Sequence, residues 1–200
     1  LFAPSRTTIS VLLQNVPSPA PDTDESLMAR VREGDYAPMS ILFERHADKL
    51  FRYCWRMNQD RQLSEDLVQE AFCRLLRFKS SYKDGHSFQA WIYSILRNLQ
   101  MDHWRKKRFE ADWEEGFDAP ARPNTPLEDQ QEAALLHRAL NLLPPSKREI
   151  LIMARFQGLK HEQIAEIIGC ETVAARVRLH RALSSLKTIY LQLLERKSPE

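Results

Sequence analysis

Apolar residues recur at steps of three and four through most of this chain, and prolines and glycines fall between those runs rather than inside them. Such spacing lines one face of a helix. Only five glycines occur in 200 residues, Leu, Ala, Arg and Glu dominate, and β-branched runs are short. Strands favour the opposite usage. The expected fold class is all-α, and the length suits one large domain or two small ones.

Punctuation divides the chain. Residues 1–23 hold Pro4, Pro17, Pro19 and Pro21 among serines and threonines, the composition of a disordered tail. From Asp24 a helix with Leu27, Met28 and Val31 inward is expected, capped by Asp24 or Ser26 and stopped by Gly34. Pro38 suits the first turn of the next helix, whose stripe is Met39, Leu42, Phe43, His46, Leu50, Tyr53, Cys54 and Met57. The next stretch, Ser64 to Phe78, reads as a helix capped by Ser64 with Leu67, Ala71, Leu75 and Phe78 buried. Its other face carries Asp66, Gln69, Glu70, Cys73 and Arg77, which taken alone is a solvated polar face.

Ser80 to Ser87 is polar, contains Gly85 and reads as a loop. Phe88, Trp91, Ile92, Ile95 and Leu99 define a fourth helix that ends in Arg105-Lys106-Lys107-Arg108. Four consecutive cations exceed what a helix C-terminus needs, and with Trp104 and Phe109 beside them they suit phosphate contact. Residues 110–126 turn acidic and proline-rich, a linker too long for a connection inside one compact domain. The expected units are therefore a domain at 24–109 and a second at 127–196.

In the second unit, Leu135, Leu136, Ala139, Leu140 and Leu143 make a helix stopped by Pro144-Pro145. Ser146 and Glu149 have capping-box spacing. A short helix with Ile164, Ala165 and Ile168 inward, a turn at Gly169 to Thr172, and a last helix to about Arg196 follow. Short helix, tight turn and longer helix with cations near its start is the helix-turn-helix layout. Arg176, Arg178, Arg181 and Lys187 supply the heads that neutralise phosphates and bond to base edges.

Other chemistry is excluded. His161-Glu162-Gln163-Ile164-Ala165 begins like a zinc-protease motif, but Ala165 stands where the second histidine belongs. Six scattered histidines and three distant cysteines show no ligand spacing, and no phosphate-cradling glycine loop or paired acid and base occurs. No cofactor, metal or catalytic residue is expected, and the chain reads as a non-enzyme. No apolar run nears the roughly 20 residues that span a bilayer, so a cytosolic protein is expected.

Three stretches in order resemble the extracytoplasmic-function group of the bacterial sigma-70 family. Residues 65–77, EDLVQEAFCRLLR, are similar to region 2.2; residues 88–108, FQAWIYSILRNLQMDHWRKKR, to regions 2.3 and 2.4; residues 143–183 to region 4. The resemblance implies a promoter-specificity subunit of RNA polymerase. It implies that Asp66, Gln69, Glu70, Cys73 and Arg77 meet the clamp coiled coil of the largest core subunit. It implies that the loop Ser80, Ser81, Tyr82, Lys83, Asp84, Gly85 and His86 captures a flipped base of the −10 element, a step that costs a few kcal/mol. Asn98, His103, Arg105, Lys106 and Arg108 then line the strand backbone. At the −35 element the matching positions are Arg176, Val177, His180 and Arg181, with Arg178 a phosphate contact or bundle surface. Where the family has a proline, valine, glycine and threonine before the recognition helix, this chain has Glu171, Thr172, Val173 and Ala174, which moves the expected cap to Thr172. An anti-sigma factor is the implied inhibitory partner. The alternative is a stand-alone helix-turn-helix regulator, which needs a dimer and palindromic half-sites.

Overall fold

The computed structural model describes residues 22–111 and 128–195; the side chains of 108–111 and 128–131 lie outside that description. Most of the expected tail and linker, the side chain of Arg108 and the end of the last helix at Arg196 therefore lie outside the described residues. Among the described residues the fold is all-α.

Helix α1 spans Asp24–Glu33, and its cap is Thr23 rather than Asp24 or Ser26. Thr23 has extended backbone, and its Oγ1 accepts the Ser26 N–H at 3.1 Å. Asp24 is recruited elsewhere: its carboxylate receives Arg45 at 2.8 Å and meets His46 Nε2 at 2.7 Å. Gly34, at φ 101°, closes the helix as expected, in a conformation that penalises any Cβ.

Helix α2 covers Pro38–Asn58, and α3 covers Arg61–Arg77. Helix α3 starts one turn earlier than its serine suggests. Asp60 is the cap, accepting the Leu63 N–H at 3.0 Å, while Ser64 is buried inside the first turn and donates its hydroxyl to the Asp60 carbonyl. Leu67, Ala71 and Leu75 are buried as the spacing requires, together with Val68 and Phe72. Phe78 is not: it sits at the C-cap, half exposed. A single 3-10 turn, Lys79–Ser81, leads through the loop to α4, Phe88–Ala111.

The C-terminal group is α5 (Glu128–Asn141), α6 (Pro145–Leu151) continuing as a wider π turn (Ile152–Phe156), α7 (His161–Ile168) and α8 (Thr172–Glu195). Pro145 opens α6, and no side chain caps it. The Ser146–Glu149 capping box is therefore absent. Helix α6 begins two residues before a Ser146 cap would place it, and the Glu149 carboxylate is engaged by α2 and α4 instead. Thr172 is likewise the first helical residue of α8, not a cap ahead of it.

Buried residues from both groups form one continuous apolar cluster, from Leu27 and Leu42 through Tyr93 and Leu96 to Ile150, Met153 and Ile164. Each fully buried side chain of this size is worth about 1.5–3 kcal/mol against exposure. A smaller cluster of Leu135, Ala139 and Leu193 holds α5 against α8.

Candidate nucleic-acid and partner interfaces

The polar face of α3 is a surface. Asp66, Gln69, Cys73 and Arg77 are exposed, and Glu70 is half-buried in an i,i+4 pair with Arg74 at 3.1 Å. Asp66 accepts from Gln62 at 3.0 Å. Leu76 and Phe78, both exposed, add an apolar border that the helical stripe did not assign to this face. Cys54, by contrast, is buried, and burial pushes its thiol up to about 12.

The loop after α3 is shaped from inside and from α1. Tyr82 is buried, so its ring is a strut of the loop and not part of its outer surface. It packs on Trp91 with ring centroids 5.1 Å apart, and its hydroxyl donates to the His86 carbonyl at 2.6 Å. Burial raises that hydroxyl to about 12, so it remains a donor. Arg32 on α1 bonds both the Tyr82 carbonyl at 3.1 Å and Asp84 at 2.6 Å. Glu25 accepts the Phe88 N–H at 3.2 Å, and Lys79 donates to the Val31 carbonyl and to Tyr36. Gly85, at φ 82°, makes the turn. Ser80, Ser81, Lys83, Asp84, Gly85 and His86 are left exposed around the rim.

Asp24 and His46 tie α1 to α2, with the His46 ring 5.0 Å from that of Phe88 at the end of the loop. Burial pushes the His46 imidazole below its ordinary value, against the pull of Asp24. Burial also works against the Asp24 carboxylate, but the bonds from Arg45 and His46 outweigh it and hold Asp24 below the usual carboxylate range.

Helix α4 leads away from the loop towards the basic end, where Asn98, Arg105, Lys106 and Lys107 are exposed and His103 is partly so. Trp104, expected as part of the phosphate-contacting face, instead donates its indole N–H to Asn58 at 3.1 Å.

In the helix-turn-helix, Gly169 (φ 68°) ends α7 and returns its N–H to the Ala165 and Glu166 carbonyls. Ala175, Leu179 and Ala182 face inward from α8, which leaves Arg176, Val177, Arg178, His180 and Arg181 exposed. Glu162 lies 3.7 Å from Arg176 in this row, with both side chains exposed.

Sequence reasoning gave no sign of the contact between the two groups. Glu149 on α6 accepts from Tyr53 on α2 at 3.1 Å and from Arg97 on α4 at 2.9 Å, and is nearly sealed from solvent. Tyr93 donates to Gln157 at 3.0 Å, and Arg148 donates to the Met57 carbonyl at 3.1 Å. Gln163 on α7 donates to Ser87 at 3.0 Å and approaches Gln89 at 3.3 Å, while His86 pairs with Glu166 at 3.0 Å. Arg56 lies over the Phe156 ring, 4.5 Å from its centroid.

Residues 42–110 match the family model of sigma-70 region 2, and residues 133–186 that of sigma-70 region 4. The chain is 32% identical to ECF RNA polymerase sigma factor SigE of Mycolicibacterium smegmatis, over 77% of its own length and 63% of that relative's. It is 30% identical to RNA polymerase sigma factor CarQ of Myxococcus xanthus, over 83% of its length and 97% of CarQ. Among solved structures, the sigma factor RpoE in complex with the anti-sigma factor NepR from Bartonella quintana superposes with a TM-score of 0.65 at 24% identity, covering 76% of this chain and 95% of that one. Two matched regions in family order, on an all-helical frame ending in a helix-turn-helix, place this chain in the sigma-70 family of RNA polymerase sigma factors, in its extracytoplasmic-function group.

Proposed function

We propose that this protein directs core RNA polymerase to chosen promoters and opens them, without catalysing a reaction of its own. Residues 24–109 form the unit that docks on polymerase and holds the −10 strand; residues 127–196 form the unit that reads the −35 duplex; residues 110–126 set the spacing. The docking face is Asp66, Gln69, Glu70, Cys73 and Arg77 on α3, aimed at the clamp coiled coil of the largest core subunit. The loop rim at Ser80, Ser81, Lys83, Asp84, Gly85 and His86 receives the extruded base. Asn98, His103, Arg105, Lys106 and Arg108 follow the strand backbone. Arg176, Val177, His180 and Arg181 enter the major groove, where a bidentate arginine distinguishes guanine from other bases.

The observation that carries this reading is the family match in two ordered segments, supported by exposed side chains at the docking and −35 positions. Among the described residues no helix is long and apolar enough to cross a membrane, in keeping with work in the cytoplasm. The RpoE–NepR complex supports an anti-sigma factor as the natural restraint. A native-gel assay with core polymerase and a run-off transcript from a cognate promoter test the proposal. The protein is expected to bind core enzyme, and Asp66→Arg with Glu70→Arg to abolish binding while helicity is retained. A chain that never binds core polymerase would sink the reading.

A further inference from the structure

The row of α4 residues covered by the C-terminal group runs towards residues assigned to the −10 strand. Gln89, Tyr93, Arg97, Met101 and Arg105 follow one another at steps of four, a stripe that winds about 40° round the helix at each step, so neighbours in it lie side by side while its two ends do not share a face. The loop rim lies at one end of that stripe and the exposed cations Arg105 to Lys107 at the other. Between them, each polar member is already occupied: Gln89 by Gln163, Tyr93 by Gln157, Arg97 by Glu149. At the rim itself His86 is held by Glu166 and Ser87 by Gln163.

Two of these occupants are carboxylates on cationic or titratable groups, the arrangement a strand phosphate would take with the same donors. A guanidinium bonds carboxylate and phosphate through the same N–H geometry. We propose that Arg97 is a further −10 strand contact, and that Glu149 and Glu166 of the C-terminal group stand in for two strand phosphates while the chain is closed. The inference rests on the sigma-factor reading for which strand is bound. The competition itself is a property of this chain alone.

The interface has two parts: the apolar cluster that both groups share, and a set of side-chain hydrogen bonds and ion pairs to α2, α4 and the loop rim. The polar part is the one a strand can compete for. Glu149 is buried, and burial opposes its charge more strongly than Arg97 and Tyr53 favour it. A buried ion pair of this kind adds little net stability while it stays intact, so exchanging the carboxylate for a phosphate loses little. The −35 row on α8 takes no part in the interface and remains exposed throughout.

The test uses the full chain, a short labelled single-stranded DNA of mixed sequence, and the matching duplex as control. Small-angle scattering reads closure and fluorescence anisotropy reads strand affinity. Glu149→Lys and the charge-free Glu149→Ala should both expand the chain and tighten strand binding, by about tenfold if closure holds nine molecules in ten. Adding Arg97→Ala should leave the chain expanded, remove most of that gain and flatten the salt dependence by about 0.7, the share of one single-strand phosphate contact. Glu166→Lys, at an exposed edge where folding is not at stake, should move both readouts the same way by less. Expansion with unchanged strand affinity would overturn the masking. A gain indifferent to Arg97→Ala would overturn the contact, and variants that remain compact would overturn the latch. Failure to bind core polymerase would refute the sigma-factor reading and leave these outcomes to stand or fall separately.

Discussion

Along α8, Arg176, Val177, Arg178, His180 and Arg181 are exposed; along α4, Gln89, Tyr93 and Arg97 each end on a residue of the C-terminal group. On the proposed reading, the contrast follows the physics of the two targets. A duplex presents its groove edges at all times, so a preformed helix serves. A single strand exists only after bases have been unstacked, at a cost of a few kcal/mol, so a site for it has no work before melting. In the proposed mechanism one face is ready in advance, and the other becomes available only on rearrangement.

The comparison breaks most readily at Arg97. Arg97→Ala strands the buried Glu149 carboxylate, and because Arg97 itself is partly solvated the cost to closure should lie near the low end of the range for a broken buried pair, about 3 kcal/mol. Scattering should show an expanded chain with duplex affinity unchanged. A parallel loss of duplex binding would mean that the two faces are not independent. Arg176→Ala probes the opposite face: it should weaken binding to a cognate −35 duplex by about 1–3 kcal/mol without altering compactness. An equal loss on unrelated duplex would make Arg176 a phosphate contact instead.

Acidification gives the smallest effect and the sharpest sign. Burial raises the Glu149 carboxyl in the closed chain above the ordinary 4.5, against the pull of Arg97 on α4 and of Tyr53 on α2. The closed form thus takes up a proton more readily than the open one. Its contribution to closure is full below about 4.5 and is lost as pH rises through the raised value. Mild acid should therefore compact the chain, and Glu149→Gln should remove that response. The Asp24–His46 contact has the opposite sign. Both groups are depressed on folding, so its stability is present above 6.5 for the histidine and is lost on acidification. A thermal melt would mix the two, whereas scattering isolates the first.

Periodicity made the helices legible because each stripe depends on residues a few positions apart. Leu67, Ala71 and Leu75 needed nothing distant to be placed correctly. Caps were less legible because several candidates stood side by side and tertiary partners chose among them. Arg45 and His46 drew Asp24 away, leaving the cap to Thr23, and Tyr53 and Arg97 drew Glu149 out of its capping box. Tyr82 read as a loop residue among serines because nothing local reveals the Trp91 ring beneath it. The Tyr53–Glu149 bond joins positions 96 residues apart, beyond the reach of any spacing rule.

Helix α1 has a practical consequence. The region 2 match begins at residue 42, after α1 has ended. A fragment trimmed to that match would keep every rim residue from Ser80 to His86. It would lose Arg32, Glu25 and the Val31 carbonyl, whose bonds hold the loop in shape. The minimal piece able to keep this loop in shape, and with it the proposed strand site, therefore starts upstream of the recognisable one, at Thr23, where the mould for the loop is laid down before the loop itself is made.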